Sequence, residues 1–152
     1  MTPVAKLLIV AASANLVGCA TVPAPQVNDR LPYVAILRPP PHGEPDIFLT
    51  AAFDTHLWID SDCVLMGNRR AGYHLPLFFR GTQGGRDRAG LFLREVETGR
   101  KFRNGDRVKG GGGGSPFTGH ELDAVLAKPV PDACIARVNG SAGSVNPGMR
   151  PG

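Results

Sequence analysis

The chain has 152 residues, a formal net charge of +4 at pH 7, 20 glycines, 14 prolines and three cysteines. Glycine and proline both exceed their usual shares of about 7% and 5%, so the chain is rich in turns. The length suits one domain with an interior of its own and argues against a second.

The first element is a short apolar segment. A single cation at Lys6 precedes an apolar run from Leu7 to Val17, and Leu16-Val17-Gly18 leads into Cys19. This is the pattern of a cleavable export signal. A bilayer span needs about 20 consecutive apolar residues, whereas Asn15 interrupts this run and Pro23 and Pro25 follow it. Leu16-Val17-Gly18-Cys19 resembles the lipobox of bacterial lipoproteins. The resemblance implies removal of residues 1–18, lipidation of Cys19 with chains such as palmitate, and the lipid bilayer as the partner of that anchor. Several acyl chains on one cysteine hold firmly, at about 0.8 kcal/mol per buried methylene. The residue after Cys19 is Ala20 and not an aspartate, which in the enterobacterial sorting pattern implies the outer membrane, with the protein facing the periplasm.

Residues 19–45 then read as the lipidated cysteine and a Pro-rich tether. The segment 20–31 has few apolar residues, and Pro39-Pro40-Pro41 with Gly43 and Pro45 forms a second stiff connector. Folding is expected from about Tyr33, with a β-rich domain at 46–137. Residues 138–152 have almost nothing to bury and are expected to be a disordered tail.

Within the domain the periodicity is mostly two. Short β-branched, aromatic and aliphatic runs at 47–53, 56–60, 63–66, 75–79 and 90–97, with a pair around Phe102 and Val108, are bounded by Gly, Asn, Asp or Ser. Ser61-Asp62 and Thr98-Gly99 read as turns. Asn104-Gly105, flanked by Lys101-Phe102-Arg103 and Asp106-Arg107-Val108, is a strong hairpin signal because both residues tolerate positive φ. The fold class expected is mainly β, a small antiparallel β-barrel or meander, an arrangement that removes exposed edges.

One short helix is expected near 119–127. Thr118-Gly119-His120-Glu121 is a capping box, and Phe117 and Leu122 sit where a hydrophobic staple joins. Leu122, Val125 and Leu126 make an apolar stripe, and Lys128-Pro129 ends the element.

Cys63 and Cys134 both lie in the exported region, where an oxidising compartment lets them pair. Neither sits at CxxC or metal-ligand spacing, so a staple is favoured over a thiol nucleophile or redox pair. A bridge would close a loop of about 70 residues and contribute on the order of 4 kcal/mol.

Four stretches also resemble a group of uncharacterised bacterial extracytoplasmic proteins with a small OB-like β-barrel. They are Leu57-Trp58-Ile59-Asp60-Ser61-Asp62-Cys63-Val64-Leu65, Asn104-Gly105-Asp106-Arg107-Val108, the glycine run, and Pro129-Val130-Pro131-Asp132-Ala133-Cys134. The resemblance implies the barrel and the cysteine pair and no activity; barrels of this kind host many functions.

Chemical motifs are sparse. Lys109 precedes Gly110 to Gly114, the reverse of a Walker A loop, in which lysine follows the glycines. The run therefore reads as a flexible connector, with a weak anion site at the helix start as the alternative. His42, His56, His74 and His120 are not paired at ligand spacing, so no metal or cofactor is implied. His56, Trp58 and Asp60 share one side of a strand as a small polar-aromatic patch. No G-x-S-x-G elbow, HExxH or hydrolytic carboxylate pair supports an enzyme.

Charge is the feature that points to a partner. Residues 69–109 carry eleven Lys and Arg against four acids, and residues 27–68 carry six acids against two Arg. Arg80, Arg86, Arg88, Arg100, Lys101 and Arg103 lie near loops and are the candidate anion-binding residues. Their targets would be an envelope polymer such as lipopolysaccharide, teichoic-type glycan, peptidoglycan or extracellular DNA. The alternative is that acidic and basic strands offset each other on an ordinary surface. Without interleaved aromatics, the arginines are weak evidence for nucleic acid. Three function classes follow: a non-catalytic envelope lipoprotein that binds an envelope component, a periplasmic inhibitor or accessory subunit contacting an envelope protein, and an envelope hydrolase.

Overall fold

A computed structural model describes residues 30–41, 44–116 and 120–152. The lipobox with Cys19, the tether up to residue 29, His42 and Thr118-Gly119 of the capping box lie outside the described residues. The strands are β1 (Ala35–Ile36), β2 (Ala51–Ile59), β3 (Val64–Asn68), β4 (Gly72–Phe78) and β5 (Gln83–Asp87), followed by β6 (Gly90–Arg94), β7 (Lys101–Phe102), β8 (Arg107–Pro116), β9 (Val138–Val145) and β10 (Arg150–Pro151). β2, β3, β4, β9 and β8 pair in that cyclic order, with β8 returning to β2, so they close a five-stranded barrel. The fold is mainly β and OB-like, as expected. The ring is antiparallel except where β4 meets β9, and β1 also lies parallel to β4. A separate three-stranded sheet, β5-β6-β7, is inserted between β4 and β8.

Strand alternation divides the apolar residues between two cores. Leu57, Ile59, Met66, Val108 and Val145 gather inside the barrel, where Leu93 and Phe102 from the small sheet join them. Polar Asp54, His56, Arg107 and Lys109 occupy the alternate positions and face out. On the outer wall, Leu65, Leu75, Leu77 and Ala142 are covered by Leu126, Val130 and Cys134. Cys63 and Cys134 form a disulfide that holds this cover in place, and both are fully buried. Tyr33 beneath it donates its hydroxyl to the Lys128 carbonyl at 2.9 Å. Burial first, and Asp123 second, push its phenol up to about 12.

Several sequence expectations are corrected. Residues 138–152 are not a disordered tail: 138–145 is the closing strand β9 and 150–151 is β10, with Met149 fully buried. The ladder on either side of β9 needs backbone groups and no large side chains. The glycine run is likewise not a flexible connector but the centre of β8. Small residues are required there because the strands nearly touch. A Cβ on Gly112 would collide with the Ser144 carbonyl, and one on Gly143 would come within 2.8 Å of the Gly113 carbonyl.

Packed structure also begins before residue 46, at Tyr33 and β1. Two expected strands merge into β2, whereas Ile47, Phe48 and Leu49 lie outside it and are exposed. β5, with its Gly84-Gly85, carries no strand signal in the sequence. Asn104-Gly105 makes a turn but no hairpin, since β7 before it pairs with β6 and β8 after it pairs with β2. The turn is held by Ile59, whose N–H donates to the Asn104 side-chain oxygen at 2.9 Å.

The expected helix at 119–127 is a single 3-10 turn, Glu121–Ala124. Beyond it Val125 keeps helical backbone angles and its carbonyl accepts the Arg38 N–H, while Leu126 forms a bridge with Leu37, which leaves Val125 exposed and Leu126 buried. A separate helical turn, Asp132–Ile135, carries Cys134.

Two stability outcomes follow. The Cys63→Ser/Cys134→Ser variant is expected to lose about 4 kcal/mol of unfolding free energy, measured by denaturant titration; a loss under about 1 kcal/mol would show the bridge to be dispensable. Gly112→Ala is expected to cost about 3 kcal/mol or more. Gly114→Ala, whose Cβ would meet only the Ala142 carbonyl at 3.8 Å, is the control and should fold normally.

Candidate functional site

The small sheet is shaped by two carboxylates that hold its turns. Between β5 and β6, Asp87 accepts the Ala89 N–H at 3.0 Å. Between β6 and β7, the buried Glu95 accepts the N–H groups of Glu97, Thr98 and Gly148 and the Thr98 hydroxyl. Burial pushes the Glu95 carboxyl up, but these donors outweigh it and hold it below its ordinary range. Glu95 thus fastens the sheet to the chain before β10 and contributes nothing to the surface.

Register sorts the sheet's side chains onto two faces. Leu93 pairs with Phe102, and both point into the barrel core. Gly85 pairs with Phe92, and Arg94 with Lys101, on the outer face. The outer end of the Phe92 ring lies over Gly85, where any Cβ would strike it. Lys101 Nζ sits 4.2 Å from the ring centroid, and the Arg94 and Arg103 guanidinium carbons are 5.9 and 6.0 Å from it. Asp87 accepts Lys101 at 2.8 Å and Arg103 through both oxygens at 2.9 and 3.0 Å. The hydrogen bond from Lys101 foremost, and those from Arg103 and Ala89 after it, bring its carboxyl down to about 2.

The six candidate anion-binding residues are therefore divided. Lys101 and Arg103 converge on Phe92, together with Arg94, which the sequence does not single out. Arg88 and Arg100 are exposed in the turns at opposite ends of the sheet. Arg86 lies opposite Leu91, on the other face from Phe92. Arg80 is outside the cluster, paired with Asp46 at 2.9 Å. Cross-strand register is the information that the sequence lacked.

The histidines are scattered. His56 is exposed on β2. His74 is half-buried in a cavity of about 270 Å³ at the barrel mouth, beside Phe53, Met66 and Gly112, and burial pushes its imidazole pKa down. His120 lies between Asp123 at 3.0 Å and Asp132 at 3.1 Å. Among the described residues, no group of three His, Cys, Asp or Glu is placed to hold a metal ion. No described helix is long and apolar enough to cross a membrane.

Of the patch expected from His56, Trp58 and Asp60, the structure joins Trp58 and Asp60. Trp58 Nε1 donates to Asp60 at 3.1 Å, and Asp60 also accepts the N–H groups of Asp62 and Cys63 and is paired with Arg137. Compared with family models, curated proteins and solved structures, the chain matches none.

Because the folded Asp87 pKa lies below the unfolded value of about 3.9, its pairing stabilises the sheet above about pH 4. That contribution is lost as pH falls through about 2. NMR titration of the Asp87 carboxyl carbon should give a midpoint near 2, moving upward in Lys101→Met. A midpoint at the ordinary carboxylate value would mean the pairing does not persist in solution.

Proposed function

We propose that the protein is a non-catalytic lipoprotein of the bacterial envelope, anchored through acylated Cys19, that binds an anionic envelope polymer on the outer face of its small sheet. The observation that carries this reading is the grouping of Arg94, Lys101 and Arg103 over Phe92, with Arg88 and Arg100 at the two ends and Asp87 as the acid on that face. Cations held on a rigid strand pair keep their spacing, which matches a repeating anion better than flexible loops do. A localised positive field also raises the rate of encounter with anionic surfaces. The export signal and the buried disulfide both suit an oxidising compartment.

A second reading, an accessory subunit or inhibitor contacting an envelope protein, is favoured by a different feature. Ile47, Phe48 and Leu49 are 77%, 54% and 44% exposed in one run. Exposed apolar patches mark interaction surfaces.

Retention on immobilised lipopolysaccharide across a sodium chloride gradient separates the two. Screening between exposed charges is nearly complete beyond a Debye length of about 8 Å at 0.15 M. Wild type is expected to elute at moderate salt, and Arg88→Glu/Arg94→Glu/Arg100→Glu at the lowest salt. Retention independent of salt, or identical in the triple variant, would reject the basic face as the binding surface.

A further inference from the structure

The barrel's outer wall carries a second surface that uses none of the small sheet's residues. Alternation along β2 turns Trp58 outward, and Tyr73 of β4 meets it across β3, with Leu65 as the floor. The two ring centroids are 5.5 Å apart and the planes are inclined by 46°, so the rings form a notch and not a flat stack. The notch is rigid. Trp58 is oriented by its bond to Asp60, whose other oxygen is held by the N–H groups of Asp62 at 2.8 Å and Cys63 at 3.0 Å. Arg137 closes the far side by bridging Asp60 and Asp62.

Arg69, from the turn between β3 and β4, lines the same notch and has no ion-pair partner among the described residues. The notch is open to solvent and holds about 330 Å³, near the lower end of the range for small-molecule sites, about 300–1,000 Å³. That volume suits one ring-sized unit of a longer chain.

We propose that this notch binds one residue of an acidic polysaccharide, with the pyranose ring against Trp58 and Tyr73 and its carboxylate on Arg69. The apolar face of a sugar ring suits an aromatic wall, and a planar carboxylate suits a guanidinium fork. The proposal goes beyond the basic-sheet reading and stands without it.

Trp58 is the sole tryptophan of the chain, so its fluorescence reports on the notch directly. The intact protein is titrated with trigalacturonate, maltotriose and a short oligothymidylate. Trigalacturonate is expected to shift Trp58 emission saturably, and the other two are not. Arg69→Gln should weaken the response about tenfold, the equivalent of one charge-assisted contact. Tyr73→Leu should weaken it further, with an unchanged circular dichroism spectrum showing that the barrel persists. Arg94→Glu, on the small sheet, should leave the response intact. Absence of a response to trigalacturonate, an equal response to maltotriose or oligothymidylate, or an undiminished response in Arg69→Gln would each overturn the proposal.

Discussion

The close approach of β8 to β9 is the constraint on which the barrel rests. Gly112 and Gly143 allow two backbones to lie where a single methyl group would force them apart. Because they do, β8 has partners on both sides, β2 and β9, and the ring closes. Closure removes the edges through which an isolated sheet would recruit other strands. It also aims Val108, Val145 and Leu57 at one another, making an interior that the same strands laid flat would not enclose. The arrangement carries a cost. Each interior glycine loses about 0.5–1 kcal/mol relative to alanine in conformational entropy, so the glycine-rich wall must be stabilised from elsewhere.

That support comes from outside the barrel. The segment running from the 3-10 turn through the helical turn at Cys134 lies over the outer faces of β3 and β4, burying Leu126 and Val130 against Leu65 and Leu75. Few regular backbone bonds hold it, and the disulfide to Cys63 fixes its position. Asp60 completes the attachment by organising the turn that carries Cys63 and accepting Arg137 from beyond Cys134. The covalent bridge and the ion pair therefore act on the same junction. The notch beside Trp58 owes its shape to both.

Legibility in the sequence follows the side chains. Where strand residues are large and alternate, as in β2, β3 and β4, the pattern identifies them, and the turns at Ser61-Asp62 and Thr98-Gly99 form where expected. Where the backbone itself makes the contact, as in β8 and β9, glycine and serine give the same composition as a linker. Nothing in Gly110-Gly111-Gly112-Gly113-Gly114 distinguishes a closely packed strand from a tether. The Asn104-Gly105 turn is recognisable, but whether its two arms meet depends on β2 and β6, which lie elsewhere in the chain. Arg94 was invisible as a site residue for the same reason, since only register places it beside Lys101.

Charge segregation along the chain takes its meaning from those registers. Acidic β2 lies against basic β8, where Asp54 accepts Arg107 at 2.8 Å and lies 3.7 Å from Lys109; Asp46 similarly pairs with Arg80. Asp54 and Asp46 thus offset three of the cations of residues 69–109 at the surface. Such exposed pairs are screened by solvent and contribute too little to direct folding, but they decide where the charge is cancelled. Arg88, Arg94 and Arg100 have no acidic partner among the described residues, and Lys101 and Arg103 share one carboxylate between them. Those five cations all lie on the inserted sheet or in its turns, a part of the fold that the closed ring does not need for its own pairing. An insertion free of that duty is where a surface is able to specialise, and the proposed polymer contact is placed there for that reason.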